Sequence, residues 1–138
     1  LPANSILTPH PKEFERLCGK WRNSFERLQK QKEFSLKYNC FVIFKGAYTC
    51  ISSPLGNCYF NSTGNAGMAK GGSGDVLTGI ITALLAQGIN QLDACILGVY
   101  VHGLAGDLAL QKHGEISMLP EDLIDNLGSA FMKIQTNL

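Results

Sequence analysis

The chain has 138 residues, 45% hydrophobic and 17% charged, with a formal net charge of +1. This length can form one domain with a hydrophobic core. Near-neutrality without a basic cluster gives no electrostatic footing for nucleic acid or an anionic membrane surface.

In chain order, Ser5 to Thr8 reads as a short strand closed off by Pro9 and Pro11. "PKEFERLC" then starts a helix with Pro11 in its first turn, where a missing N–H costs little. Ser24 to Tyr38 reads as a strongly polar helix with Lys, Gln and Glu on its exposed face. "CFVIFK", Cys40 to Lys45, is a continuous β-type run that suits a buried parallel strand. "AYTCIS" and "NCYFN" flank the turn signal "SPLG" and predict a hairpin.

Two apolar helices follow, Val76 to Gln87 and Leu92 to Leu110, each apolar around most of its circumference and so requiring cover on several sides. Gly79, Gly98, Gly103 and Gly106 each cost about 1 kcal/mol against Ala in a helix, which close approach of a neighbour would justify. The last helix, about Pro120 to Ile134, is amphipathic, with a cap expected at Ser117 or nearby and with Glu121 and Asp122 favourable to the dipole. This order predicts an α/β layer structure with helices on a largely parallel sheet. It contains few strands for so much buried helix, as expected of half of a larger domain or of a sheet finished by another chain.

Val76 to Ala86 is the longest apolar run, broken by Thr78, Gly79 and Thr82, and it falls short of the roughly 20 apolar residues that cross a bilayer. No signal-peptide pattern is visible; a start at Leu1 rather than Met fits a fragment or a processed product. Cys18, Cys40, Cys50, Cys58 and Cys95 are odd in number, lack C-x-x-C spacing and sit among apolar or β-type neighbours. They read as reduced structural thiols of a cytoplasmic protein, ahead of a zinc site.

Five glycines fall within residues 64–74, directly before an apolar helix. Glycines there let successive N–H groups turn toward one point, and the helix N-terminus adds partial positive charge. The combination binds phosphate, with Gly71, Gly72, Ser73 and Gly74 as the expected donors. The spelling is not a P-loop, because Ser73 follows Gly72, and not the dinucleotide fingerprint, because Leu77 stands at its last glycine position. Asp75 has two readings: a helix-dipole acid, or a carboxylate that accepts the proton of an attacking hydroxyl while the N–H groups stabilise a transferring phosphoryl.

"GNAGMAKGGSGDVLTGIITALLAQG" resembles the C-terminal signature of ribokinase-like small-molecule kinases and, more closely, of the ADP- or ATP-dependent NAD(P)H-hydrate dehydratases. "ILTPHPKEFERL", "FKGAYT" and "GVYVHGLAGDLA" agree in order and spacing, so that the resemblance covers essentially the whole chain as the C-terminal half of that family's domain. It implies a ribokinase-like α/β fold and a repair reaction: hydrated NADH or NADPH is phosphorylated at its ring hydroxyl, and loss of phosphate restores the cofactor. ADP or ATP would be the phosphoryl donor, with Mg2+. By motif position Asp75 is similar to the catalytic aspartate, and Gly72, Ser73 and Gly74 match the nucleotide-contacting turn. Lys45, Gly46, Ala47, Tyr48 and Thr49 match the segment that holds the nucleotide, and His10 a hydrated-cofactor contact. "KGAYT" looks more like the bacterial, ADP-using branch. The resemblance also suggests a homotetramer for the complete protein, while cysteine usage and charge point to a cytoplasmic protein with no nucleic-acid or membrane partner. The alternatives are another ribokinase-like kinase, acting on a vitamin precursor such as a hydroxymethylpyrimidine, and a nucleotide-binding fragment inactive on its own.

The chain departs from the family pattern at Ala66, where proline is usual, at Lys70 and Ser73, where threonine is common, and at Lys12, where glycine often follows "TPHP". Lys70 puts a charge beside the turn, directed either to nucleotide or to solvent. Simpler readings stand beside these: His10 as a loop residue, Lys45 as a snorkelling strand end, and His102 and Asp107 in helix packing and on the helix surface. His113 and Glu115 sit near a turn and carry no signal.

Overall fold

The computed structural model describes residues 1–136 and divides into two compact units. The first comprises Leu1–Asn61 with Asn90–Ile96; the second comprises Ser62–Ile89 and the chain from Leu97 on.

The first unit holds a four-stranded sheet in the order β1-β2-β3-β4: β1 Ile6–Leu7, β2 Phe41–Phe44, β3 Cys50–Ser52 and β4 Cys58–Phe60. β1 is shorter than the expected Ser5 to Thr8. It pairs parallel with β2, Ile6 opposite Phe41, while the expected hairpin adds two antiparallel pairings. All four residues of β2 are buried, which explains their unbroken apolar run. Helix α1, Pro11–Cys18, begins at its proline, and α2, Ser24–Tyr38, has the bounds expected. The Asn23 side chain accepts from the Glu26 N–H at 2.9 Å, and Asn39, with φ +48°, ends α2 in the left-handed region.

Phe14, Phe34, Cys40, Val42 and Phe44 form the core of this unit, with Leu7, Cys18 and Trp21 against it. Phe14 meets Phe44 edge-on, ring centroids 5.6 Å apart at 82°. α2 departs from the uniformly exposed polar face expected of it, because Gln31 and Ser35 are fully buried toward the sheet. Gln31 Nε2 donates to the carbonyls of Val42 at 3.0 Å and Cys50 at 2.9 Å, and the Ser35 and Ser52 hydroxyls bond at 2.6 Å. These bonds satisfy groups whose burial would otherwise be costly.

In the second unit a 3₁₀ turn, Ala66–Met68, leads to α3, Ser73–Ala86, which starts three residues before the expected Val76. α3 buries Leu77, Ile80, Ile81 and Leu84 on one face. Thr78, Gly79, Thr82, Ala83 and Ala86 remain exposed, so within this chain it is covered on one side rather than several. α4, Gln91–Ser117, starts in the first unit and runs well past the expected Leu110. Gly114, with φ +71°, interrupts it. By length and composition α4 could cross a membrane, and half of its most apolar stretch is buried within the structure.

Glycine in α4 has the steric reason expected at three places. A Cβ on Gly98 would lie 2.7 Å from Ile81, on Gly103 2.2 Å from Thr63, and on Gly106 2.3 Å from Met68. Gly79 is the exception, with nothing within 4 Å.

The expected final helix is two: α5, Pro120–Asp125, and α6, Leu127–Thr136. They part at buried Asn126, whose Nδ2 donates to the Asp122 carbonyl at 2.7 Å while its Oδ1 accepts from Lys112 at 2.8 Å. Ser117 is not the cap; its hydroxyl donates to the His113 carbonyl. The Asp122 carboxylate instead accepts the Leu119 N–H at 2.7 Å. Val101, Ala105 and Ala130 pack α4 against α6, and Ala109, Met118 and Leu123 form a second cluster with Met68 and Val76.

Candidate functional site

The glycine stretch turns at Gly72, the residue before α3, with φ +96° and ψ −26°. This left-handed conformation favours glycine, and a Cβ there would also meet Pro120 Cγ at 3.1 Å. Of the expected donors, Ser73 is otherwise engaged: its N–H donates to the Lys70 carbonyl at 3.3 Å. The Asp75 and Val76 N–H groups both donate to the Gly72 carbonyl, at 3.0 and 3.1 Å. Among the described residues no backbone acceptor takes the N–H of Gly71, Gly72 or Gly74. Three donors thus remain at the positive end of a 14-residue helix, a setting that suits an anion.

Asp75 lies in the first turn of α3 and is exposed. Among the described residues no group bonds or pairs with its carboxylate. It is therefore available to accept a proton as well as to complement the helix dipole.

α4 holds the approach to this turn. The Asp107 carboxylate accepts from the Gly64 N–H at 3.0 Å and from Asn65 Nδ2 at 2.9 Å, and Asn65 Oδ1 in turn accepts from the Gly67 N–H at 3.1 Å. Thr63 donates to the Tyr100 carbonyl at 2.9 Å. His102 Nε2 donates to the Ser73 carbonyl at 2.9 Å, with the Ser73 hydroxyl 3.3 Å from the same nitrogen. The reading of Asp107 as helix surface is thus corrected, while His102 packs α4 on the start of α3 as expected; both hold the glycine stretch. "GVYVHGLAGDLA" marked their segment in the sequence, but not their partners. Lys70 takes neither expected direction, since its ammonium donates to the carbonyls of Ile116 and Met118.

His10 and residues 45–49 lie in the first unit, and residues 71–75 in the second. The Lys45 N–H donates to the Pro9 carbonyl at 3.0 Å, which brings His10 and the Lys45–Thr49 segment to the same end of the β1–β2 pair. This is the C-terminal end of the two parallel strands, where α/β proteins bind ligands. Tyr48, with φ +55° and 76% exposed, sits in the turn, which Thr49 Oγ1 closes by donating to the Gly46 carbonyl at 3.0 Å. His10 also caps α1: its Nδ1 accepts the Glu13 N–H at 3.2 Å, and its own N–H donates to Glu13 Oε2 at 2.8 Å. That N–H holds the Glu13 carboxyl below the usual carboxylate range.

The described residues contain no group of three or more His, Cys, Asp and Glu able to hold a metal ion. A divalent cation at the turn would find one carboxylate, Asp75, and take its other ligands from phosphate oxygens and water, a coordination that suits Mg2+.

Residues 1–128 match the family model described as NAD(P)H-hydrate dehydratase. The bifunctional NAD(P)H-hydrate repair enzyme Nnr of Moorella thermoacetica is 44% identical over 124 residues, 88% of this chain and 23% of that protein. The ADP-dependent (S)-NAD(P)H-hydrate dehydratase of Bacillus subtilis is 36% identical over 132 residues, 94% of this chain and 48% of the relative. The structure of the ADP/ATP-dependent enzyme from Bacillus subtilis, co-crystallised with ATP/Mg2+, superposes with a TM-score of 0.88 at 35% identity, covering 94% of this chain and 48% of that one. A ribokinase-like superfamily protein from Enterococcus faecalis superposes with a TM-score of 0.75 at 30% identity, over 93% of this chain and 44% of the other. The fold is ribokinase-like, as the resemblance implied. The chain spans about half the length of the Bacillus protein or less than a quarter of the Moorella one.

Proposed function

We propose, because this chain belongs to the NAD(P)H-hydrate dehydratase family, that the protein restores hydrated NADH or NADPH at the expense of a nucleotide phosphoryl group. The observation that carries the reading is the turn at Gly72, which leaves three N–H donors at the head of α3 together with an unpartnered Asp75 carboxylate. The N–H groups would hold the phosphoryl being transferred, and Asp75 would accept the proton of the ring hydroxyl as its oxygen bonds to phosphorus. Breakage of the ring C–O bond, with loss of a proton from the neighbouring ring carbon to solvent, then releases phosphate and restores the ring double bond. Mg2+, when bound, would neutralise phosphate charge; Asp75 is the residue at the turn able to contact it. Lys45, Gly46, Ala47, Tyr48 and Thr49 would hold the nucleotide, and His10 the hydrated cofactor.

Residues 1–138 would form the C-terminal part of the complete domain, a reading supported by coverage of about half the Bacillus relative. Homotetramer assembly and a cytoplasmic location belong to the same proposal. The test is the complete protein incubated with hydrated NADH and ADP or ATP. Recovery of reduced-nicotinamide absorbance supports the reading, whereas a stable phosphorylated product would point to another small-molecule kinase. Asp75→Asn keeps the size and removes the proton acceptor, so turnover should fall by about 10²–10⁴-fold. Affinity for nucleotide measured without Mg2+ should hold or improve, since a carboxylate near bound phosphate is lost. Wild-type turnover in this variant would sink the catalytic assignment.

A further inference from the structure

Lys70 Nζ lies 2.6 Å from the carbonyl oxygens of both Ile116 and Met118, where α4 ends. One ammonium thus joins the glycine stretch to a segment 46 to 48 residues further along the chain. That segment meets the stretch at three other points. A Cβ on Gly67 would lie 2.7 Å from Met118 Cε and 3.1 Å from the Glu115 carbonyl, and one on Gly72 3.1 Å from Pro120. Val76 packs on the cluster of Ala109, Met118 and Leu123. Residues 67, 70, 72 and 76 therefore all rest on the chain between Ala109 and Leu123.

The four contacts differ in kind. Those at Gly67, Gly72 and Val76 are steric or apolar, and such contacts set distance better than direction. Lys70 supplies two directional, charge-assisted bonds. Its acceptors lie beyond the interruption at Gly114, where the last carbonyls of the chain segment lack helical partners. Moving Lys70 would move the Gly71–Gly74 turn that begins at the next residue.

We propose that Lys70 is a positioning residue: by binding the Ile116 and Met118 carbonyls it holds the turn in the conformation that leaves the Gly71, Gly72 and Gly74 N–H groups open to phosphate. The functional half of this inference rests on the reading of the turn as an anion site; the structural half does not. Lys70 acts through the turn, and its ammonium is occupied by carbonyls rather than by the ligand.

The test compares wild type with Lys70→Met, Lys70→Gln and Lys70→Arg in the full chain, by amide hydrogen exchange without ligand and by calorimetric titration with ADP. In Lys70→Met the hydrogen-bonded amides of the turn, those of Ser73, Asp75 and Val76, should exchange about tenfold faster, as expected when charged hydrogen bonds that hold one conformer are lost. β2 should exchange as before. ADP binding should weaken by about tenfold. Lys70→Arg keeps charge and donors and should recover most of both effects, a rescue that loss of packing alone would not give. Lys70→Gln should fall between, and it carries the test if Lys70→Met fails to fold. Unchanged exchange in both neutral variants would overturn the proposal. Weaker ADP binding with unchanged exchange would do the same, making Lys70 a direct phosphate ligand. If wild type binds no ADP, the anion-site reading fails, and the exchange comparison still decides whether Lys70 holds the turn.

Discussion

Among the cysteines, burial sets the chemistry. Desolvation pushes the Cys95 thiol up to about 12, and burial aided by the neighbouring Cys58 does the same for Cys50. All five are free thiols, as expected from the sequence. Because the thiolate is the reactive form, Cys50 and Cys95 should resist alkylation in the native protein at pH 8 and react once it is unfolded. Mass mapping after brief iodoacetamide treatment checks this, and rapid native labelling of Cys95 would contradict it. The same shifts give a sign for stability. A folded thiol that keeps its proton to about 12, against 9.0 for an ordinary thiol, contributes stability fully present below pH 9. That contribution is lost as pH rises toward 12. Urea midpoints between pH 9 and 11 should therefore fall, and fall less in Cys95→Ala. At this scale Asp75 was legible because its position in a helix start is itself a chemical statement. Lys70, Asp107 and His102 were not, because their partners lie 29 to 48 residues away along the chain.

The helices separate two uses of glycine that look alike in the sequence. Gly103→Ala would drive a Cβ to 2.7 Å from the Thr63 backbone as well as into its side chain, and Gly106→Ala would meet Met68 at three atoms within 2.9 Å. Each should cost about 1–3 kcal/mol by overpacking, read from urea unfolding, with Gly103→Ala the worse because backbone cannot swing aside. Gly79→Ala faces open space in mid-helix and should stabilise by up to about 1 kcal/mol. A reversed order would mean that the close approach of residues 63–68 to α4 is not as described. α2 was readable to its ends because Asn23 and Asn39 mark them locally. The division of the last helix was not, since it depends on Asn126 being buried between Asp122 and Lys112. Likewise the start of α3 at Ser73 needed the Gly72 dihedral, which no hydrophobic period encodes.

For the molecule as a whole, the α/β class and the hairpin followed from strand composition and turn residues. The mixed sheet did not, because a buried run such as Phe41–Phe44 has the same pattern whether its second neighbour is parallel or antiparallel. The small-residue face of α3 stays exposed in this chain, which accords with the proposed assembly. Sedimentation at micromolar concentration should give a species heavier than 15.0 kDa, and a monodisperse, well-packed monomer would defeat that part of the proposal. Another consequence comes from Gln31. Its two acceptors, the carbonyls of Val42 and Cys50, sit on antiparallel neighbours and come within reach of one amide only when Val42 faces Ser52 and Phe44 faces Cys50. A slip of one residue would turn the strand's side chains over and leave at least one amide hydrogen stranded away from water. Gln31 thus works as a key cut for a single alignment of the hairpin, rejecting mismatched pairings that apolar packing alone would tolerate.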